Sequence, residues 1–346
     1  MKKLIFSILI IFLCLTSFTL ISCGDDGVPA SEGLELELNK DNSSYSVIGI
    51  GDCTDTELII PSIYNSLPVT AVGDCAFLDC DELKTITIPG SITAVGENAF
   101  EGCINLNEIY LPDSITEIGR GAFIHCDSLR SIILPDSLTE IEDYLFSQCK
   151  SLTTVEIHEG VTYIGLCVFL NCESLSYINV PKGVTHIGSS AFEGCVSLEE
   201  ISLPDGITKI GRAAFMNCTK LKSISLPEGL SEIENYMFSY CKSLTAVKVP
   251  DGVTAIGVRA FSNCESLLSV NIPDGVTRIG SSAFIECNKL KKIVIPVSVT
   301  EIGEYAFAKC KSLNAYCEAE QKPDGWSDKW RYLNVTVIWG HKEGNR

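Results

Sequence analysis

Residues 191–211 read AFEGCVSLEEISLPDGITKIG, and this pattern recurs every 23 residues along most of the chain. In each copy, a phenylalanine is followed after three residues by a cysteine and after three more by a leucine. A fixed period in this range is typical of a solenoid, because one coil is too small to bury its own apolar face and must stack on its neighbours. The sequence therefore predicts a solenoid of about 11 coils of 23 residues.

The repeated phenylalanines and cysteines are predicted to form two buried columns, to which every coil contributes one residue of each kind. The phenylalanines are Phe77, Phe100, Phe123, Phe146, Phe169, Phe192, Phe215, Phe238, Phe261, Phe284 and Phe307. The cysteines are Cys80, Cys103, Cys126, Cys149, Cys172, Cys195, Cys218, Cys241, Cys264, Cys287 and Cys310. We call these two sets the Phe column and the Cys column.

Within one copy, Ile201 and Leu203 alternate with polar residues, as expected for a strand with one buried face. Stacking joins such strands into a parallel sheet on one face of the solenoid. Pro204 lacks an N–H donor and therefore ends the strand, and residues 207–210 form a second extended segment. The residues around Phe192 are expected to form a short helical or irregular outer turn, so the predicted fold is mostly β.

Most coils carry a glycine at the position of Gly211, whereas Glu142 and Glu234 occupy this position in two coils. A recurrent glycine indicates either a positive φ angle or a close approach of neighbouring backbones, because only glycine tolerates both without steric cost. The two glutamates show that glycine is favoured there and not essential.

The cysteine content, 17 residues, would ordinarily indicate disulfide bonds in an exported protein. The Cys column favours free thiols instead, because parallel side chains in a stack are poorly aimed at one another even when roughly 5 Å apart. We expect buried thiols that bond weakly to the backbone. The sequence leaves undecided whether Cys53 and Cys75, near the N-terminal end, form a disulfide.

Residues 1–22 have the pattern of an export signal, with Lys2 and Lys3 preceding an apolar run. The closing residues 20–23, LISC, resemble a bacterial lipobox, in which cleavage precedes the cysteine and the thiol carries lipid. This predicts Cys23 as a lipidated first residue, with residues 23–33 as its tether; an ordinary secretory signal is the alternative. The acidic residues 24–27 resemble tags that send lipoproteins to the outer face, so we expect an outer-membrane, surface-exposed protein whose only contact with the membrane is its lipid anchor.

The charge balance is strongly acidic. Loss of Lys2 and Lys3 with the signal leaves 44 acidic and 24 basic residues, a net charge of −20. Binding of nucleic acid or of an anionic membrane surface needs clustered Lys and Arg, so both are disfavoured as partners.

Over residues 58–313, the repeat resembles the BspA-like type of leucine-rich repeat, with Phe, Cys and Leu in register in every coil. The resemblance implies a curved right-handed solenoid on a bacterial surface protein, and for some relatives it implies adhesion to host matrix proteins or to other cells. The family carries no common catalytic residues, so none can be assigned to this chain.

The ends of the chain depart from the repeat. Residues 34–57 are predicted to form an N-terminal β-hairpin cap, and residues 314–346 a C-terminal cap. Trp326 and Trp330 are expected to shield the open end of the core. A sugar-stacking site formed by the two rings is the less favoured alternative.

No catalytic or nucleotide-binding motif occurs, so a non-enzymatic protein without cofactor or metal is predicted. One column of acids follows the proline position and is either a solvated turn ladder or, as a less favoured alternative, a calcium site. These residues are Asp113, Asp136, Glu159, Asp205, Glu228, Asp251 and Asp274.

The outward-facing strand positions are mostly short and polar, and Tyr110, Ile133 and Tyr177 form their apolar cluster. Exposed aromatic residues on a rigid surface are candidate contacts for a ligand. The alternative is that these residues occur in the strands only because of their high β propensity and bind nothing. The predicted function is cell-surface recognition or adhesion, in which a protein or glycan binds the solenoid face. A structural envelope lipoprotein without external ligand is the alternative, and a hydrolase with a Trp-lined end is disfavoured.

Overall fold

The computed structural model describes residues 30–332 and 335–342. The predicted signal peptide, the predicted lipidated residue Cys23 and most of the predicted tether lie outside these ranges. Among the described residues, no helix is long and apolar enough to cross a bilayer.

The described chain is a solenoid of stacked parallel strands, as predicted, with about 13 turns where 11 coils were expected. One face is a sheet that we call the front sheet, in which successive strands pair in parallel one repeat apart, as Ser223 does with Ala246. The two additional turns come from the strands at either end, which pair in parallel although they lack the Phe-Cys-Leu pattern. The strands of the front face are Glu57–Ile59, Thr85–Thr87, Glu108–Tyr110, Ser131–Ile133, Thr154–Glu156, Glu200–Ile201, Ser223–Ser225, Ala246–Lys248, Ser269–Val270, Lys292–Ile295, Leu313–Cys317 and Val335–Ile338.

A second face, which we call the side sheet, is built from the extended segment that follows each proline. Its strands are also parallel and one repeat apart, as for Ile187 and Ile210. They are Tyr45–Gly49, Leu67–Val72, Ala94–Val95, Glu117–Ile118, Glu140–Ile141, Tyr163–Ile164, His186–Ile187, Lys209–Ile210, Glu232–Ile233, Ala255–Ile256, Arg278–Ile279 and Glu301–Ile302.

Two short antiparallel elements precede the regular coils. Glu35–Leu38 pairs antiparallel with Tyr45–Gly49, which in turn lies parallel to Leu67–Val72. Ile63–Tyr64 folds back on the start of Leu67–Val72 through a two-residue turn. The turn residues Asn65 and Ser66 both have positive φ angles, the conformation that suits a tight hairpin. This hairpin accounts for the greater length of the first coil, in which Phe77 follows Pro61 by 16 residues, whereas Phe100 follows Pro89 by 11.

The third face consists of irregular turns, and no helix occurs in the described ranges. In the coil of Phe192, Ser190 and Gly194 adopt positive φ angles, and the equivalent residues do so in every other coil that carries the Phe column. A helix needs consecutive right-handed residues, so these two positions prevent one. The N–H groups of Ser190, Phe192 and Gly194 instead donate to carbonyls of the next coil at 2.8–2.9 Å.

The Phe column and the Cys column lie inside the core, apart from Cys80, which is partly exposed. All eleven phenylalanine rings are fully buried, and neighbouring rings stack with centroids 5.2–5.7 Å apart. The thiol of Cys195 donates to the carbonyl of Phe169 at 3.2 Å, and every later and earlier column thiol except that of Cys80 makes the equivalent contact.

The recurrent glycine reflects close backbone approach and not a positive φ angle. A Cβ atom on Gly211 would lie 2.5 Å from the backbone nitrogen of Ser189 in the preceding coil. In the two coils with glutamate at this position, the side sheet is interrupted just before Glu140–Ile141 and just before Glu232–Ile233. Since a side chain cannot occupy that space, Glu142 and Glu234 account for the two interruptions.

Candidate recognition face

The front sheet presents its outward-facing residues to solvent, and three of them are large and apolar. Tyr110, Ile133 and Tyr177 are 59%, 58% and 48% exposed. Tyr110 and Ile133 occupy the same repeat position in adjacent coils. Tyr177 lies two coils beyond Ile133 and in the other outward column, with Glu156 in the coil between them. The structure therefore brings two members of the predicted cluster together and separates the third.

The front sheet is interrupted between the coil of Tyr110 and the coil of Ile133. In most coils, the residue before the strand donates its N–H to the preceding coil, as Asn107 does to the Lys84 carbonyl at 3.0 Å. The equivalent pair would be the N–H of Arg130 and the carbonyl of Asn107, and neither group has a hydrogen-bond partner among the described residues. Parallel pairing resumes one coil later.

The same two coils are also separated in the side sheet. Thr116 donates its N–H to Thr93 at 2.9 Å, and Thr162 donates to Thr139 at 2.8 Å, but no such bond joins Thr139 to Thr116 in the described chain. Glu142 lies in the second of these coils, where glycine would allow close approach. Within the described ranges, only at this junction are the front sheet and the side sheet interrupted between the same two coils.

This separation opens a cleft on the front face, which we call the coil cleft. It consists of two adjoining depressions of about 230 and 360 Å³ that share Asn107 and Arg130. Ile109 points inward but is only partly buried, whereas Ile86 and Ile132 at the same position in the flanking coils are buried. The lining residues are Lys84, Asn105, Asn107, Glu108, Ser128, Arg130, Ser131 and Ser151.

The coil cleft is locally basic in an acidic protein. Its lining carries Lys84 and Arg130 against the single carboxylate of Glu108, and neither cation forms a salt bridge within the described residues. Beside it, Lys150 and Asp127 neutralise each other at 2.7 Å. No sequence pattern marked this site, although the exception to the glycine rule at position 142 was a signal of a gap between coils.

The separation also affects Glu142 itself. Partial burial, followed by repulsion from Glu140 and Asp143, raises the pKa of Glu142 above its ordinary value. The charged carboxylate is therefore destabilised in this position, whereas the glycine of other coils carries no charge. This destabilisation agrees with the local loss of strand pairing in the side sheet.

The cysteines offer no reactive centre within the core. Burial raises the pKa of the Cys241 thiol to about 12, and the same cause raises the pKa of the other column thiols. A thiol is a nucleophile only as the thiolate, so these groups are inert near neutral pH. Cys53 and Cys75, for which a disulfide was left open, are both free, and Cys75 is exposed.

The other sequence-based candidates do not converge on a site. In the described residues, no group of three or more His, Cys, Asp or Glu side chains is placed to hold a metal ion. In the acidic turn column, Glu228 pairs with Lys248 at 2.8 Å. Trp326 and Trp330 are both 2% exposed, and the indole N–H of Trp326 donates to the Val299 carbonyl at 3.0 Å. Their burial excludes sugar stacking on these rings and fits shielding of the core.

A sequence model of the BspA type leucine rich repeat region, in 6 copies, matches residues 70–199 and 185–314. The chain belongs to the BspA-type leucine-rich repeat family. The matched residues include the coil cleft and most of the front sheet, so the candidate site lies within the family's repeat region. No curated protein has a matching sequence.

Solved structures that match this chain with a TM-score above 0.5 show the same fold. A leucine-rich repeat protein from Bacteroides ovatus is 26% identical, covers 91% of this chain and 100% of its own, and has a TM-score of 0.54. The pneumococcal vaccine antigen PcpA is 19% identical, covers 90% and 98%, and has a TM-score of 0.52. A leucine rich cell surface protein from Faecalibacterium prausnitzii is 22% identical, with 93% and 97% covered and a TM-score of 0.46.

Proposed function

We propose that this chain is a non-enzymatic recognition protein that binds a protein or glycan through the front sheet. The observation that carries the proposal is the exposed pair Tyr110 and Ile133 on adjacent coils, next to the coil cleft. Large side chains on a rigid sheet lose little conformational entropy on binding and are frequent hot spots. Tyr177 belongs to the proposed contact surface as a separate point farther along the sheet.

The proposed location is the surface of a bacterial outer membrane. The signal-like residues 1–22 and the lipobox-like ending at Cys23 support export and a lipid anchor. The acidic residues that follow the lipobox support display on the outer face. In this proposal, residues 58–313 form the recognition solenoid, between an N-terminal cap at 34–57 and a C-terminal cap at 314–346.

A structural role within the envelope, without an external ligand, is the competing function. Treatment of intact cells with an added protease separates the two possibilities. Cleavage of the solenoid while a periplasmic marker stays intact is expected for surface recognition. Protection of the solenoid in intact cells, with cleavage after lysis, would contradict the proposal.

Binding to arrays of matrix proteins and glycans tests the recognition face directly. Replacing Tyr110 and Ile133 with alanine is expected to weaken binding at least tenfold, because two exposed anchors are removed from a rigid surface. Tyr163→Ala is the matched control, since Tyr163 is an exposed tyrosine of the side sheet. Equal binding by the double variant and the control would show that the front sheet is not the binding surface.

A further inference from the structure

The coil cleft combines features that occur together at no other coil junction of the described chain. Both sheets are interrupted there, Ile109 is partly exposed, and two adjoining depressions open to solvent. A depression of about 360 Å³ is near the lower end of the range for small-molecule sites. The cleft is therefore suited to a ligand of a few rings at most.

The polar groups of the coil cleft can both donate and accept hydrogen bonds. The N–H of Arg130 and the carbonyl of Asn107 are left without protein partners where the front sheet is interrupted. Asn105 and Ser131 add an amide and a hydroxyl, and Glu108 adds an acceptor. Hydroxyl-rich ligands need such a mixture, because every sugar hydroxyl is at once a donor and an acceptor.

Apolar residues adjoin the polar lining of the coil cleft in the two strands beside it. Ile109 lies between Glu108 and Tyr110 in the strand Glu108–Tyr110, and Ile133 lies across the interruption from Tyr110. The exposed ring of Tyr110 offers a flat face to the C–H face of a sugar ring, and Ile133 extends this contact.

The charge of the cleft selects among sugars. The lining holds two cations, Lys84 and Arg130, and one carboxylate, that of Glu108, in a chain whose formal net charge is −18. A guanidinium group recognises a carboxylate through two parallel hydrogen bonds. A long polyanion would be repelled by the acidic surface outside the cleft. A ligand with a single carboxylate, bound at the cleft, is therefore the better match.

We propose that the coil cleft binds a saccharide that carries a carboxylate, with Arg130 and Lys84 holding the carboxylate. Asn105, Asn107 and Ser131 bond the sugar hydroxyls, and Tyr110 packs against the ring. The inference rests on the proposed recognition function, for which it names the ligand class.

Titration of the full chain with sialyllactose, and with lactose as its uncharged counterpart, tests the proposal by calorimetry. Sialyllactose is expected to bind at least tenfold more tightly than lactose, and Arg130→Gln is expected to remove this difference. Lys222→Gln is the matched control, because Lys222 occupies the same repeat position as Arg130 but pairs with Glu199 at 2.6 Å in an uninterrupted part of the sheet. Unchanged thermal unfolding of both variants shows that the coils are intact.

Three results would overturn the inference. They are equal affinity for the two saccharides, unchanged affinity in Arg130→Gln, and equally tight binding of an acetylated Glu-Gly-Glu peptide. Absence of saccharide binding together with array binding that is lost in the Tyr110 and Ile133 variant would refute this ligand class alone and leave the recognition function standing. Array binding that the variant leaves unchanged would refute the front sheet as the binding surface.

Discussion

At the scale of single residues, stability depends on side chains that repeat without variation. The ring of Phe192 lies between those of Phe169 and Phe215, with centroids 5.3 and 5.5 Å away. The ring is inaccessible to solvent, so no water can fill the space that a smaller side chain would leave. The exact 23-residue spacing made this column predictable, because burial in a stack requires one ring per coil.

Phe192→Ala is expected to lower the free energy of unfolding by about 3–5 kcal/mol, through lost burial and the cavity that remains. Urea denaturation measures the change. Leu268→Ala is the control, because Leu268 is exposed and its truncation should cost no more than about 0.5 kcal/mol. Similar losses in the two variants would mean that the ring is not packed as the structure shows.

At the scale of the coil, the close approach of backbones decides where the sheets are continuous. Gly211 and its equivalents leave no room for a side chain against the preceding coil. Where Glu142 and Glu234 replace them, the side sheet is interrupted. The sequence showed the exceptions but not their effect, because a gap between coils depends on the distance between two backbones and not on either coil alone.

Gly211→Ala is expected to destabilise the protein by about 1–3 kcal/mol, because its Cβ would overlap the Ser189 backbone. Gly206→Ala in the same coil is expected to be neutral or to stabilise by up to about 1 kcal/mol. The nearest atom to a Cβ at Gly206 is 3.7 Å away, and this residue does not have a positive φ angle. Thermal or urea unfolding of both variants measures the contrast, and a harmless Gly211→Ala would contradict the close approach.

At the scale of the whole molecule, the Cys column runs along the core and links stability to pH. The ordinary thiol pKa is 9.0, and burial raises the pKa of Cys103, Cys241 and Cys310 to about 12. Between these values, the unfolded chain releases thiol protons that the folded chain keeps. The free energy of unfolding is therefore fully retained below about pH 9 and falls as the pH rises towards about 12.

Each such thiol is expected to lower the free energy of unfolding by about 1.4 kcal/mol per pH unit once it is ionised in the unfolded chain. Urea denaturation under reducing conditions, at several values between about pH 8 and about pH 11, measures the total slope. Replacing Cys195, Cys218 and Cys241 with alanine should reduce that slope by the contribution of these three thiols, since the other titrating groups are unchanged. An unaltered slope in this triple variant would show that the column thiols ionise in the folded state.

The ends of the molecule complete the stack. The N–H groups of the last outer turn, at Tyr305, Phe307 and Lys309, donate to carbonyls of residues 329, 330 and 332. The ring of Trp330 meets that of Phe307 edge-on at 5.8 Å. Composition indicated an aromatic cap, but the continuation of the sheet through Val335–Ile338 was not expected, because that strand lacks the repeat signature.

Periodicity alone was enough to establish a solenoid of 23-residue coils with buried Phe and Cys columns, because each of these features depends on spacing within one coil. The coil cleft and the burial of Trp326 and Trp330 emerged only from the folded chain. These features depend on how closely separate coils approach one another, and that distance is set by packing across the stack, not by the residues of any one repeat.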